Sequence, residues 1–128
     1  MNEYKLKWKK GEDNLMDNID NQLSIIKQAI EDKKGSDLEV LNISEMTTIA
    51  DYFIIVSGNS SIQVTSIADE IENKMFLAGY DKVHKEGYES ARWILLDYGD
   101  IIVHIFHKEE REFYNLERLW SQYERKTE

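Results

Sequence analysis

The sequence predicts an α/β (α+β) domain, a mixed β-sheet packed with helices, and three observations predict it. Apolar residues recur at helical spacing in two separated stretches, a β-branched and aromatic run lies between them, and two strongly β-prone runs meet at a tight turn around Gly99. The chain of 128 residues suits one hydrophobic core, and 41% hydrophobic residues with 11% aromatic are enough to fill it.

From Asn14 to Lys34, Leu15, Ile19, Leu23, Ile26 and Ile30 share one helical face, and Gly35 supplies a stop. Ser36 to Asn42 then brings Leu38, Val40 and Ile43 into alternation, which predicts a strand. Tyr52 to Ser57 reads as a second strand, of the kind buried on both faces of a sheet. Ser60 and Gln63 have the form of a capping box, and Val64, Ile67, Ala68, Ile71, Met75 and Ala78 follow at helical spacing before Gly79, so a helix is expected from about Ser61 to Ala78. A short strand is expected over Asp81 to Glu86. Ala91 to Asp97 and Ile101 to Phe106 form a hairpin, with Gly99 providing the positive φ of its turn. Phe113, Leu116, Trp120 and Tyr123 continue at spacings of three and four, which predicts a closing helix. The order is helix, two strands, helix, three strands, helix.

Residues 1–12 read as a basic arm ahead of a single domain over residues 13–128. The segment MNEYKLKWKK alternates Tyr4, Leu6 and Trp8 with Lys5, Lys7 and Lys9, which suits either an edge strand or a flexible basic tail. The formal charge of the chain is −9 although its first ten residues add four lysines against one glutamate, so the rest is more acidic still. Such a body is a poor binder of polyanions and a better match for a basic protein. No sequence-specific nucleic acid partner is expected. Charged residues make up 32% of the chain, and neither a membrane span nor a secretory signal is visible, so a cytoplasmic protein that binds no membrane is expected. With no cysteine, disulfides, thiolate metal sites and cysteine nucleophiles are excluded.

Four constellations bear on chemistry. Asp97 and Asp100 flank the hairpin turn, and with Gly58-Asn59-Ser60-Ser61 opening a helix they suggest metal-assisted phosphoryl transfer. The turn has no Lys and lacks the Walker spacing, so a strand-to-helix turn with an N-cap is the simpler reading. His104 and His107 lie three apart, which on a strand sends them to opposite faces, and no third metal ligand has a place beside either; like His84, each reads as a structural, hydrogen-bonded group. No serine sits in a nucleophile elbow. Trp93, Ile94, Leu95, Leu96 and Tyr98 make a strand that is apolar on both faces, either covered on both sides or open on one. In the second case Trp and Tyr beside Arg92 have the composition of a binding hot spot.

The run from Ser36 through Trp120 resembles the ribosome-silencing factor family, also called Iojap. The likeness is carried in order by Ile49-Ala50-Asp51-Tyr52-Phe53-Ile54-Ile55-Val56-Ser57-Gly58-Asn59-Ser60, by Ile67-Ala68-Asp69, by Glu86-Gly87, by Trp93-Ile94-Leu95-Leu96-Asp97-Tyr98-Gly99-Asp100-Ile101-Ile102-Val103-His104, and by Phe113-Tyr114-Asn115-Leu116-Glu117-Arg118-Leu119-Trp120. The resemblance implies a nucleotidyltransferase-like fold without a working active site, hence no catalytic residue, cofactor or metal. It implies binding to the large ribosomal subunit through ribosomal protein L-fourteen, which blocks joining with the small subunit and represses translation under nutrient limitation. It also implies a homodimer in the free state. The role of contacting the ribosome falls on Trp93, Leu95, Leu96, Tyr98 and Asp100, with Arg92 and Glu86 beside them. The basic arm lies outside the pattern. Two other readings stand beside this one, a nucleotidyltransferase-like enzyme using Asp97, Asp100 and the Gly58 turn, and a homodimeric scaffold with another partner. Strand alternation divides the hairpin residues, with Trp93, Leu95 and Asp97 facing one way and Ile94, Leu96 and Tyr98 the other.

Overall fold

The computed structural model describes residues 11–114. Along the chain run α1 (Gly11–Asp32), β1 (Ser36–Asn42), β2 (Tyr52–Gly58), α2 (Ser61–Leu77), β3 (His84–Glu86), β4 (Trp93–Asp97), β5 (Ile101–His107) and α3 (Lys108–Tyr114). The five strands form one sheet in the order β1-β2-β5-β4-β3. Its centre is a parallel pair, β2 against β5, with every other pairing antiparallel. The element order is the one expected from periodicity, and the sheet is mixed. The basic arm over residues 1–10 and the stretch holding Leu116, Trp120 and Tyr123 lie outside the described residues.

Parallel central strands bury both faces, and the sequence supplies continuous apolar runs for them. Ile54, Val56, Ile94, Leu96, Ile101, Val103 and Ile105 turn to the side covered by α1 and α2, where they meet Ile26, Ile30, Val64, Ile67, Ile71 and Met75. On the other side Phe53 and Ile102 form a smaller core with Ile43 and Ala50 from the segment between β1 and β2. The sheet is therefore a divider between a large helical core and a smaller second face.

Helix ends explain how the two helices are joined. Ser60 is the N-cap of α2, its hydroxyl accepting the Gln63 amide proton at 3.1 Å. The Gln63 carboxamide accepts the Asn59 N–H at 2.6 Å and donates to the carbonyls of Lys33 and Lys34 at 3.0 and 2.9 Å, so one side chain closes backbone groups at the ends of two helices. At the end of α1 the left-handed residue is Lys34, with φ of 60°, rather than Gly35. Gly35 donates to the Ile30 carbonyl at 2.9 Å and is glycine for a different reason, because a Cβ there would stand 2.7 Å from Val56 and 2.8 Å from Ile30. At the end of α2 the left-handed position falls on Gly79, φ 94°, as the sequence suggests.

β1 has the bounds expected from the sequence, and β3 is shorter than expected. β1 begins at Ser36 as read, but Leu38 and Val40 are 38% and 37% exposed, because β1 is an edge strand, with an irregularity between Ser36 and Glu39 that breaks its register. β3 is only His84–Glu86, since the segment before it leaves α2 through the Gly79 turn before it reaches the sheet edge.

Two glycines make opposite demands. Gly87 and Gly99 both have positive φ, 81° and 91°, but a Cβ on Gly87 would collide with the Trp93 carbonyl oxygen, whereas one on Gly99 meets open space. Gly99→Ala is expected to cost about 1 kcal/mol, from backbone strain alone. Gly87→Ala is expected to cost roughly 3 kcal/mol or more, since strain and overlap combine. Urea midpoints of the two variants check this, and equal losses would show that space around Gly87 is not limiting.

Candidate functional site

The side of the sheet away from α1 and α2 carries the candidate site. Cross-strand register sets out its rows, with Trp93 opposite Phe106, Leu95 opposite His104, Asp97 opposite Ile102, and on the outer edge Glu86 opposite Leu95. Ile55 and Phe53 continue these rows onto β2, opposite His104 and Ile102 respectively. Residues paired across strands share a face, so this register brings Trp93, Leu95, His104, Phe106 and Phe53 together.

Their packing is aromatic. Trp93 and Phe106 lie with ring centroids 4.7 Å apart and tilted by 31°, and Phe53 meets His104 edge-on at 4.6 Å and 70°. The Trp93 indole Nε1–H donates to His104 Nδ1 at 3.1 Å. Burial pushes the imidazole of His104 down to about 4 from an ordinary 6.5, so at neutral pH the ring is uncharged, and the bond from the indole makes Nδ1 its acceptor nitrogen. Trp93 and Leu95 are partly exposed, while Phe106 and His104 beneath them are buried.

Charged groups rim this face. The Arg92 guanidinium bonds Glu110 through Nε and Nη2 at 3.1 Å each and Glu109 through Nη2 at 3.0 Å, which holds the Glu109 carboxyl below its usual range. These bonds tie the start of β4 to α3. Arg111 on α3 donates to Ser57 at 3.0 Å at the end of β2. On the β3 edge Glu86 lies 2.7 Å from His84. Asp97 accepts the Gly99 N–H at 2.8 Å, and the Asp100 backbone carbonyl accepts from Asp51 and Tyr52 at 2.9 and 3.0 Å.

The seven residues read from the sequence therefore divide. Trp93 and Leu95 stand on this face, Glu86 and Arg92 border it, and Asp100 is exposed at the hairpin tip. Leu96 and Tyr98 do not belong to it. Leu96 is wholly buried and Tyr98 is 9% exposed, both inside the helix-side core, where burial raises the Tyr98 phenol far above its usual range. Alternation along β4 is the physical reason. Phe53, His104, Phe106, Glu109 and Glu110 are members that the sequence reading did not place here. The hairpin pairing would have found His104, since it fixes Leu95 opposite His104.

The phosphoryl-transfer arrangement does not assemble. Ser60 and Gln63 at the Gly58 turn are engaged in capping, and Asp97 closes its own turn. Among the described residues no three His, Asp or Glu side chains gather as a metal-binding group. His104 and His107 lie on opposite faces of β5, as strand parity requires.

Together these features define a mixed-sheet α/β domain, helical on one side and presenting an aromatic, acid-rimmed face on the other. A family model described as "Ribosomal silencing factor during starvation" matches residues 16–128. Proteins named ribosomal silencing factor from Halalkalibacterium halodurans and Bacillus subtilis are each 46% identical, over 77% of this chain and 85% of the relative, and over 79% and 88%, respectively. A crystal structure of a Chromobacterium violaceum protein superposes with a TM-score of 0.79 at 36% identity, covering 80% of this chain and 86% of that one. The chain belongs to the ribosomal silencing factor family.

Burial of His104 makes stability pH-dependent. The unfolded ring takes up its proton near 6.5 and the folded one only near 4, so the stability that His104 confers is complete above pH 6.5 and is lost as pH falls toward 4. The loss is on the order of 3 kcal/mol. Unfolding free energies measured from pH 7 to pH 4.5 should fall more steeply for the native chain than for His104→Leu, and parallel curves would refute the assignment.

Proposed function

We propose that this chain silences ribosomes by occupying the large subunit. Its aromatic face docks on ribosomal protein L-fourteen, the bound domain sterically blocks the small subunit, and translation falls when nutrients are scarce. The reading rests on one observation, that Trp93 and Leu95 are partly exposed side by side on the sheet face opposite α1 and α2, in a chain that belongs to the ribosomal silencing factor family. Partly exposed Trp over a packed aromatic floor is the composition of an interface anchor.

Electrostatics supports the choice of partner. Glu86, Asp97, Asp100, Glu109 and Glu110 lie around or beside the face, the Arg92 charge is offset by two carboxylates, and the whole chain carries −9. Such a rim favours a basic protein and opposes bare phosphate backbone. Function is thus recognition without catalysis, in the cytoplasm, by a protein that pairs with a second copy when free. Leu96 and Tyr98 serve it from behind, by holding β4 against the helical core.

Adding the protein to joined ribosomes is expected to shift a sucrose-gradient profile toward free subunits. Trp93→Ala should weaken large-subunit binding by roughly tenfold or more while the far-ultraviolet circular dichroism stays native. Undiminished binding by the folded variant would remove this face from the contact.

A further inference from the structure

His104 sits near the middle of the sheet, with Leu95 opposite it on β4 and Ile55 opposite it on β2, and it is 4% exposed. A buried polar ring in an apolar layer calls for an explanation. The indole Nε1–H is a donor only, so in the 3.1 Å bond between Trp93 and His104 the imidazole Nδ1 must be the acceptor. That fixes the tautomer, with the ring proton on Nε2. His104 Nε2 is buried and has no hydrogen-bond partner among the described residues. The fold therefore tolerates an unsatisfied donor at Nε2 and obtains one thing in return, a lone pair aimed at Trp93. A leucine would fill the space without leaving that donor unsatisfied, so packing alone does not account for an imidazole here. Phe53 edge-on against the ring keeps the imidazole from turning, and Phe106 supports the indole from the neighbouring row.

We propose that His104 is a positioning residue for docking, whose Nδ1 lone pair holds the Trp93 indole in the orientation that the aromatic face presents to its partner. The proposal rests on the docking reading given above and adds to it a residue that makes no contact with the partner. Trp93 is a large side chain with two rotatable bonds, and an anchor fixed before binding loses less freedom on binding. The hydrogen bond also sets which edge of the indole is turned inward, which stacking on Phe106 alone does not determine.

The test has a part that needs no partner. Long-range nitrogen–proton correlation spectra of the native chain should show His104 protonated at Nε2 and bare at Nδ1; the opposite tautomer overturns the proposal. The Trp93 indole N–H resonance should move in His104→Leu and return toward its native position in His104→Asn, whose side-chain oxygen stands near the place of Nδ1. An unmoved indole resonance in His104→Leu overturns the proposal whatever the partner does. Binding to purified large subunits then gives the second part. His104→Leu should bind about tenfold more weakly, as expected for losing one ordering hydrogen bond, and His104→Asn should recover most of that loss. In the double variant with Trp93→Ala, His104→Leu should add no further loss, because the group it positions is gone. Additive losses, or native binding by His104→Leu where Trp93→Ala is weak, overturn positioning and leave docking intact. Native binding by Trp93→Ala instead removes the docking reading, and the indole resonance still reports whether His104 holds the ring.

Discussion

The rest of the structure depends on the parallel pairing of β2 with β5. Two strands at the centre of a sheet, hydrogen-bonded on both edges and buried on both faces, leave no polar surface of their own. The chain must therefore cover both sides, and it does so unequally. α1 and α2 close one side with a large aliphatic core, while among the described residues the segment between β1 and β2 and the start of the helix after β5 cover the other with a smaller one. Trp93 and Leu95 are partly exposed on that second side. The candidate face is thus a consequence of how the second side of a doubly buried pair is covered.

Much of this was legible in the sequence because local periodicity and global packing agree. The run YFIIVS could be read as a strand buried on both faces, and the runs on either side of Gly99 could be read as a hairpin, because tertiary context reinforced what the residues prefer alone. What spacing along the chain does not carry is a strand's position in the sheet. Leu38 and Val40 alternate as an interior strand does, but β1 lies at an edge, and edge position is a property of the whole sheet order. Gly35 marks the end of α1 correctly for a reason the sequence did not display, the closeness of Val56 and Ile30 rather than a left-handed backbone.

The site was legible in part. Alternation along β4 was enough to separate Trp93 and Leu95 from Leu96 and Tyr98, once the helical side was known. His104 looked from the sequence like a structural histidine with no assigned partner. Its partner lies 11 positions away on the adjacent strand, and the bond runs diagonally from one row of the sheet to the next. Such diagonal partners follow from register, which the turn sets, and not from spacing on either strand. The ties from Arg92 to Glu109 and Glu110 are hidden in the same way, since they join the start of β4 to a helix that follows β5.

Gln63 gives this arrangement a mechanical character. Its carboxamide reaches the Lys33 and Lys34 carbonyls just past the end of one helix and the Asn59 N–H just ahead of the other, so the two helix ends are tied together. Both helices grip the same side of the sheet, and the sheet carries the aromatic groups on its reverse. The helical layer thus behaves as a stiff backing plate. A surface mounted on such a plate reaches its target already shaped, so selectivity can come from rejecting misfitting partners rather than from moulding to whatever arrives.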